Sequence, residues 1–375
     1  MRSRKGPGPG RRRPVLNSDE TQQGRRRRDA KAQAKVRSLT VVKRRAPTPS
    51  VVFNTYWRFA VERQEIFFRR LQGNSAPWTT DTVLREHKFT NAYRASDRVS
   101  QYLIQQVIYP REYSLRDTVL RILLFKIFNK IETWEFLEEA LGDVIEPNFS
   151  VERLDQLLSR ALGAGASIYS AAYIMPSGPV SIRQARKHRM HLELLADLLR
   201  KGLPEQLAAV RGMAELYTQL VSLPSFGPFL AYQFATDLNY SPYFALSEME
   251  FVMPGPGARD GIRKCFTSLG DYTEAEVIQW VADRQSEEFA ARGLIFKSLW
   301  GRSLQLIDCQ NLFCEVDKYA RVVHPEVIGH TGRMRIKQRF VSKGSPTLPW
   351  FPPKWGLNDR IREHGQRASD AAAGR

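Results

Sequence analysis

The stretch from Leu223 to Ala231, LPSFGPFLA, restricts what this chain can fold into more than any other segment. The preceding MAELYTQLVSL has apolar residues at helical spacing and stops at Pro224, while Pro228 stands where a new helix starts, since its missing N–H is not needed there. Gly227 between them is expected to take a tight turn with left-handed backbone. Phe226, Leu230 and Phe234 then repeat at i, i+4 and i+8. A connection this short leaves the first N–H groups of the second helix without intrahelical acceptors, and the helix dipole adds positive potential there. Pro224, Ser225, Phe226 and Gly227 therefore make a turn suited to a phosphate. An ordinary turn between two core helices carries the same signature, so the rest of the chain has to decide between them.

Charge points the same way. The chain carries a formal net charge of +18, and residues 1–46 alone hold 16 Lys and Arg against 3 Asp and Glu, so +13 belongs to this N-terminal stretch. With RKGPGPGRRRP, RRRR at Arg25 to Arg28 and almost no large apolar side chains, it is expected to be a disordered basic tail. Such a tail acts as a counterion-releasing arm on DNA or as a nuclear-import signal, or it is merely solvated. The other 329 residues carry only about +5, and the chain is 42% hydrophobic, enough for a substantial core. Cys265, Cys309 and Cys314 are too few for a disulfide scaffold, which favours a reducing compartment. The most apolar run, VLRILLFKIFNKI from Val119, is broken by Arg121, Lys126 and Lys130 and is too short for a bilayer. The expected protein is soluble and intracellular, nuclear if its source is eukaryotic, with no membrane partner.

Helical periodicity runs through most of the remainder. FNTYWRFAVERQEIFFRRL sets Phe53, Trp57, Ala60, Phe67 and Leu71 along one face. Arg94, Asp97, Arg98 and Gln101 follow at spacings of three and four and read as a surface salt-bridge ladder. Ser114 opens a capping-box pattern before SLRDTVLRILLFKIFNKIETW, a helix apolar enough to be central. On its narrow polar side Lys126, Asn129, Lys130 and Thr133 form a cationic stripe, which either snorkels or serves phosphate contacts. His188 and His191 lack Cys or acidic neighbours at ligand spacing and are expected on the surface of a basic helix. Thr273 to Glu276 is a further capping box. Strand signals are scarce, so the fold class is all-α to about residue 320. The boundaries read as a basic tail over 1–46, a helical domain over 47–345 and a Pro/Gly-rich flexible C-terminal tail over 346–375.

Two further constellations carry potential chemistry. In SEMEFVMPGPGARDGIRKCF, Glu248, Glu250 and Asp260 flank a Pro/Gly turn that opens a helix, with Gly257 at the helix start and Arg259, Arg263 and Lys264 in reach of phosphate. A desolvated carboxylate there could serve as an acid–base group, whereas a rigid loop would look the same. In LQLIDCQNLFCEVDKYARV, Asp308, Asn311, Glu315 and Lys318 share a helix face bordered by Leu304, Ile307 and Cys314, either a partly buried site or a Glu315–Lys318 surface pair beside a core amide. Cys309 and Cys314 lie about 140° apart around that helix and cannot readily share a metal. No metal site is expected.

Taken together, LPSFGPFLAYQFATDLNYS, EFVMPGPGARDGIRK, DCQNLFCEVDKYARV, FNTYWRFAVERQEIFFRR and IYSAAYIMPSG closely resemble the alpha-glutamyl/putrescinyl-thymine pyrophosphorylase family, also described as the helical domain of 5-hydroxymethyl-deoxyuridine DNA kinase. The resemblance covers roughly residues 50 to 340. It implies an all-helical fold similar to helix-hairpin-helix DNA glycosylases and a role on duplex DNA carrying modified thymine, with the base flipped out of the stack. Bifunctional glycosylases carry a lysine where this chain has Phe229, so Schiff-base chemistry is not implied. The glycosylase aspartate falls near Ser247, where Glu248 or Glu250 could replace it, with Asp260, Asp308 and Glu315 as further candidates. The phosphate-contact set is Pro224, Ser225, Phe226, Gly227, Gly257, Arg259, Arg263, Lys264, Lys126, Lys130 and Lys318. GxxxxGK[ST] is absent, so any kinase acting with this chain is expected to be a separate protein. No cofactor is assigned. The expected activity is pyrophosphoryl transfer to the 5-hydroxymethyl group or glycosylase-like chemistry, and the alternative is a non-catalytic module that positions a separate DNA-modifying enzyme.

Overall fold

In the computed structural model, residues 44–173, 175–176, 186–342, 348–363 and 365 are described. The basic tail expected over 1–46 falls outside them except for its last three residues. The described chain is mostly helical, with a two-stranded antiparallel ribbon of β1 (Thr48–Pro49) and β2 (Phe266–Ser268) as its sheet.

The first helix, α1 (Val51–Leu71), starts at Ser50, whose hydroxyl accepts the Val52 N–H, and buries Phe53, Tyr56, Trp57 and Ala60. After the short α2 (Thr82–Glu86), a 3₁₀ turn at Arg94–Ser96 leads to α3 (Arg98–Tyr102), which widens into a π-helical turn over Leu103–Ile108. Next comes α4 (Leu115–Phe128), capped by Ser114 through the Asp117 N–H and ended by Asn129 at φ 48°. Every residue from Thr118 to Phe128 is buried, so α4 is the central helix its composition predicts. It packs against α5 (Ile131–Leu141), α7 (Lys187–Arg200) and α8 (Leu203–Ala208), with α6 (Val151–Gly163) on the outer side of α7.

The helical pair foreseen around Gly227 is present as α9 (Met213–Val221) and α10 (Pro228–Leu238). Its turn differs in detail. Gly227 is the N-cap of α10 with extended backbone (φ −70°, ψ 162°), and Ser225 takes the left-handed conformation at φ 69°. The reversal thus falls two residues earlier than the glycine suggests. A second group of helices, α11 (Pro256–Cys265), α12 (Glu274–Asp283), α13 (Gln285–Ala291) and α14 (Leu306–Val323), packs with α1. The Thr273–Glu276 capping box forms as expected. The α11–α14 contact is close because α11 presents glycines: a Cβ at Gly261 would stand 1.9 Å from the Phe313 carbonyl oxygen, and one at Gly257 2.4 Å from Cys314 Sγ. Between the two helix groups lies α10, which also touches α4.

Three expectations are corrected. His188 and His191 are buried: His188 Nε2 lies 2.9 Å from Asp155 Oδ1, and His191 Nδ1 lies 2.9 Å from the Tyr169 hydroxyl. Arg94 is no surface residue, since a 3₁₀ turn followed by a fresh helix start at Arg98 breaks the register on which a ladder depends. The C-terminal segment packs over residues 348–363, where Phe351, Leu357 and Ile361 are buried. There Lys354 donates to the carbonyl of Ser241 at 3.2 Å and to those of Asn239 and Phe244, closing off the C-terminal end of α10.

Candidate functional site

The two helix groups meet at a buried cluster of charge. Arg94, at the turn before α3, places its Nη1 2.7 Å from Asp237 Oδ1 on α10, and Lys126 on α4 places its Nζ 2.8 Å from Asp237 Oδ2. None of these three side chains is more than 4% exposed. Arg94 also donates to Gln233 at 3.1 Å and to the Tyr240 hydroxyl at 2.9 Å, while its backbone N–H reaches Asp308 on α14 at 2.8 Å. Burial would raise the Asp237 carboxyl, but Arg94 and then Lys126 outweigh it and hold it below the ordinary range. Burial, reinforced by Arg94, brings the Lys126 ammonium down to about 8 against the pull of Asp237.

Two aromatic rings cover this cluster. Lys126 Nζ lies 4.4 Å from the Tyr173 ring centroid, and the Tyr173 ring stacks on Phe229 with centroids 5.7 Å apart and planes 13° apart. Phe229 belongs to the first turn of α10 and lies directly against Gly255, where a Cβ would come within 2.6 Å of its ring. Gly255 is in turn the N-cap of α11, so two helices that both open on Gly-Pro start side by side. Neither has a side-chain cap. Both starts leave backbone N–H groups free of intrahelical acceptors, a setting that favours anions.

Three residues after Arg94 in the chain, Asp97 is partly buried, with one carboxylate oxygen accepting the Asn91 N–H at 2.8 Å. Burial pushes its carboxyl up to about 7, with Glu315 adding to the rise and the Asn91 hydrogen bond, Arg63 and Arg94 opposing it. A carboxyl poised near neutrality within electrostatic reach of Arg94 and Tyr173 can accept or give a proton.

The five carboxylates singled out in the sequence do not share one site. Glu248 pairs with Arg302 at 2.6 Å. Glu250 accepts the Met213 N–H at 3.0 Å at the start of α9. Asp260 is buried and accepts the Thr331 N–H at 3.1 Å and its hydroxyl. Asp308 joins a capping box with Gln305 while holding Arg94, and burial lifts it to about 6. Glu315 accepts the Thr90 N–H at 3.0 Å and pairs with Lys318 at 2.5 Å.

The basic candidates divide similarly. Arg259 and Arg263 are exposed beside Glu274, whereas Lys264 is buried against Asp317 at 3.0 Å. Lys130 donates to the Ser167 carbonyl. In the hairpin turn Pro224 and Gly227 are exposed, Ser225 is partly so, and Phe226 is buried against Phe234. The missing Cβ of Gly257 serves the approach of Cys314. Sequence reasoning did not single out Asp237, Tyr173 or Gln310. Their only sequence signal is polarity on otherwise apolar surroundings, as in Gln233, Thr236 and Asp237 along QFATD. Among the described residues no group of three His, Cys, Asp or Glu could hold a metal, all three cysteines are free, and no helix is long and apolar enough to cross a membrane.

No solved structure matches this mostly helical chain. The helical domain of 5-hmdU DNA kinase matches residues 50–329, and this chain belongs to that family. A relative named 5-hmdU DNA kinase, from Bacillus phage SP10, is 27% identical over 297 residues, which is 74% of this chain and 46% of the relative. The chain thus spans less than half the length of the relative it matches.

Proposed function

We propose that this chain acts in the modification of 5-hydroxymethyluracil in DNA, engaging the duplex through the α9–α10 hairpin and receiving a flipped base at the junction. The observation that carries the reading is the convergence of the two Gly-Pro helix starts, through Phe229 and Tyr173, on the Lys126–Asp237–Arg94 cluster. The hairpin turn, exposed at Pro224 and Gly227, with the free N–H groups at the start of α10, suits a backbone phosphate in the manner of helix-hairpin-helix glycosylases. The stacked Tyr173–Phe229 pair borders the place proposed for a base that has left the stack. Asp97 then exchanges the proton of the 5-hydroxymethyl oxygen, and Arg259 and Arg263 add positive potential along the DNA path.

A second reading has one observation in its favour. The SP10 relative is more than twice the length of the matched region, so the reacting centre of such a system can lie in sequence outside this match. On that reading the chain positions DNA for a separate enzyme.

Incubating the purified protein with a nucleoside triphosphate as phosphoryl donor and duplexes carrying thymine, 5-hydroxymethyluracil or its phosphorylated form, then analysing nucleosides by mass spectrometry, separates the two. A new mass from a hydroxymethylated duplex supports catalysis. Preferential binding without a new mass supports the positioning role, and equal, unselective binding to all three duplexes overturns both.

A further inference from the structure

We propose that the segment from Arg333 to Arg339 is an interaction surface for an unpaired nucleic-acid strand, with its cations on successive phosphates and Met334 among the bases. This goes beyond the proposed function, in which the hairpin holds a duplex, and does not rest on it. The first indication is where the charge lies. Residues 327–358 hold 6 Lys and Arg and no Asp or Glu, whereas the whole of residues 47–375 carries about +5, so the rest of that body is close to neutral. Arg333, Arg335, Lys337 and Arg339 occupy alternate positions, and all four are exposed. Arg339 pairs with Glu86 at 2.6 Å, and the other three have no ion pair among the described residues. By contrast, the exposed Arg259 and Arg263 are both matched by Glu274. Unmatched cations in a row repel one another, and a polyanion relieves that repulsion.

The backbone beneath these side chains is held in place. The Thr331 N–H donates to Asp260 at 3.1 Å, and the Arg335 carbonyl accepts from the Arg321 guanidinium at 3.0 Å. The Gln338 carbonyl accepts the Lys88 N–H at 3.0 Å, and the Phe340 N–H donates to the Glu86 carbonyl at 2.9 Å. Residues 333–338 form neither helix nor turn. In a chain so drawn out, alternate positions lie roughly 6–7 Å apart, a step suited to neighbouring phosphates of one strand. A run of cations on a fixed backbone loses little freedom when it binds.

Apolar exposure in the same run selects the kind of strand. Met334 is 61% exposed and Val341 72%. A duplex turns sugar and phosphate outward and keeps its base faces stacked inside, so these side chains gain nothing from it. An unpaired strand offers base faces, against which a thioether packs well.

The test measures binding of the full chain to an oligothymidylate strand and to a duplex of equal length by fluorescence anisotropy over a salt series. Wild type is compared with the triple variant Arg333→Gln, Arg335→Gln, Lys337→Gln. Each single-strand phosphate contact contributes about 0.7 to the slope of log K against log salt, so the triple variant should lower that slope by about 2. The duplex slope should stay unchanged. Arg333→Lys with Arg335→Lys keeps the charge and should keep the slope, while Met334→Ser should weaken the strand about threefold with no change of slope. An unchanged single-strand slope in the triple variant, or no binding of the strand by wild type, overturns the surface. Equal losses on strand and duplex overturn its assignment to an unpaired strand, and poly-glutamate competing as well as the strand, charge for charge, overturns its assignment to nucleic acid. The proposed function fails on a different variant, through duplex affinity that Gly227→Val leaves unaltered.

Discussion

Asp237 neutralises two buried cations contributed by distant parts of the chain. Asp237→Asn leaves Arg94 and Lys126 without a counter-charge in a desolvated place, and breaking a buried ion pair in this way costs about 3–5 kcal/mol. Urea unfolding of Asp237→Asn should show that loss, and adding Lys126→Met should restore part of it; strict additivity of the two changes would mean that the pair is not coupled. Asp97 behaves in the opposite sense. Its folded carboxyl is raised to about 7 from 3.8, so between those values the folded state keeps a proton that the unfolded chain has released. The contribution of this group to stability is therefore present below about pH 4 and declines as pH rises to 7. Asp97→Asn keeps the acceptor for the Asn91 N–H and should be more stable than wild type at pH 8 by on the order of 1 kcal/mol, with a smaller difference at pH 5. A stability difference independent of pH would exclude this account.

Among the elements, the contrast between two glycines is the most direct test. Gly261 sits where α11 and α14 touch, and its Cβ would collide with the Phe313 carbonyl at 1.9 Å. Gly261→Ala should lower stability by about 2–3 kcal/mol, because backbone rather than a flexible side chain must move. Gly227 has nothing within 4 Å of its Cβ position and an unstrained φ of −70°, so Gly227→Val should leave the melting temperature within a few degrees of wild type. If the hairpin grips DNA, the same variant should weaken duplex binding. Normal DNA affinity in folded Gly227→Val removes this turn from the interface.

For the whole molecule, the C-terminal segment matters more than its composition suggests. Phe351, Leu357 and Ile361 are buried, and Lys354 caps the end of α10 that carries Asp237. Full burial of each such apolar side chain contributes about 1.5–3 kcal/mol before denatured-state contacts are discounted. Truncation after residue 347 should consequently lower the melting temperature by roughly ten degrees or more. At the other end, deleting residues 1–46 should flatten the dependence of log K on log salt for duplex binding, since +13 of the charge lies there. An unchanged slope would show that the arm does not touch DNA.

Local signals in the chain specified the helical class, the α9–α10 pair, the central place of α4 and the caps at Ser114 and Thr273. Each depends on residues within a few positions of one another, so side-chain chemistry and spacing suffice to write it. The junction could not be read in this way. Arg94, Lys126, Asp237 and Asp308 are separated by 30 to more than 200 residues, and nothing local distinguishes a charge that will be paired inside from one that will face water. Spacings of three and four at Arg94 to Gln101 mimic a helical face, but the chain turns between Ser96 and Arg98, so the pattern never lies on one helix. The Pro-rich C-terminal segment has the composition of a loop, yet its aromatic and aliphatic residues find a surface to cover once the helices have assembled. Burial of charge and the covering of apolar surface are properties of long-range packing, and they come into existence only when the two helix groups close on α10.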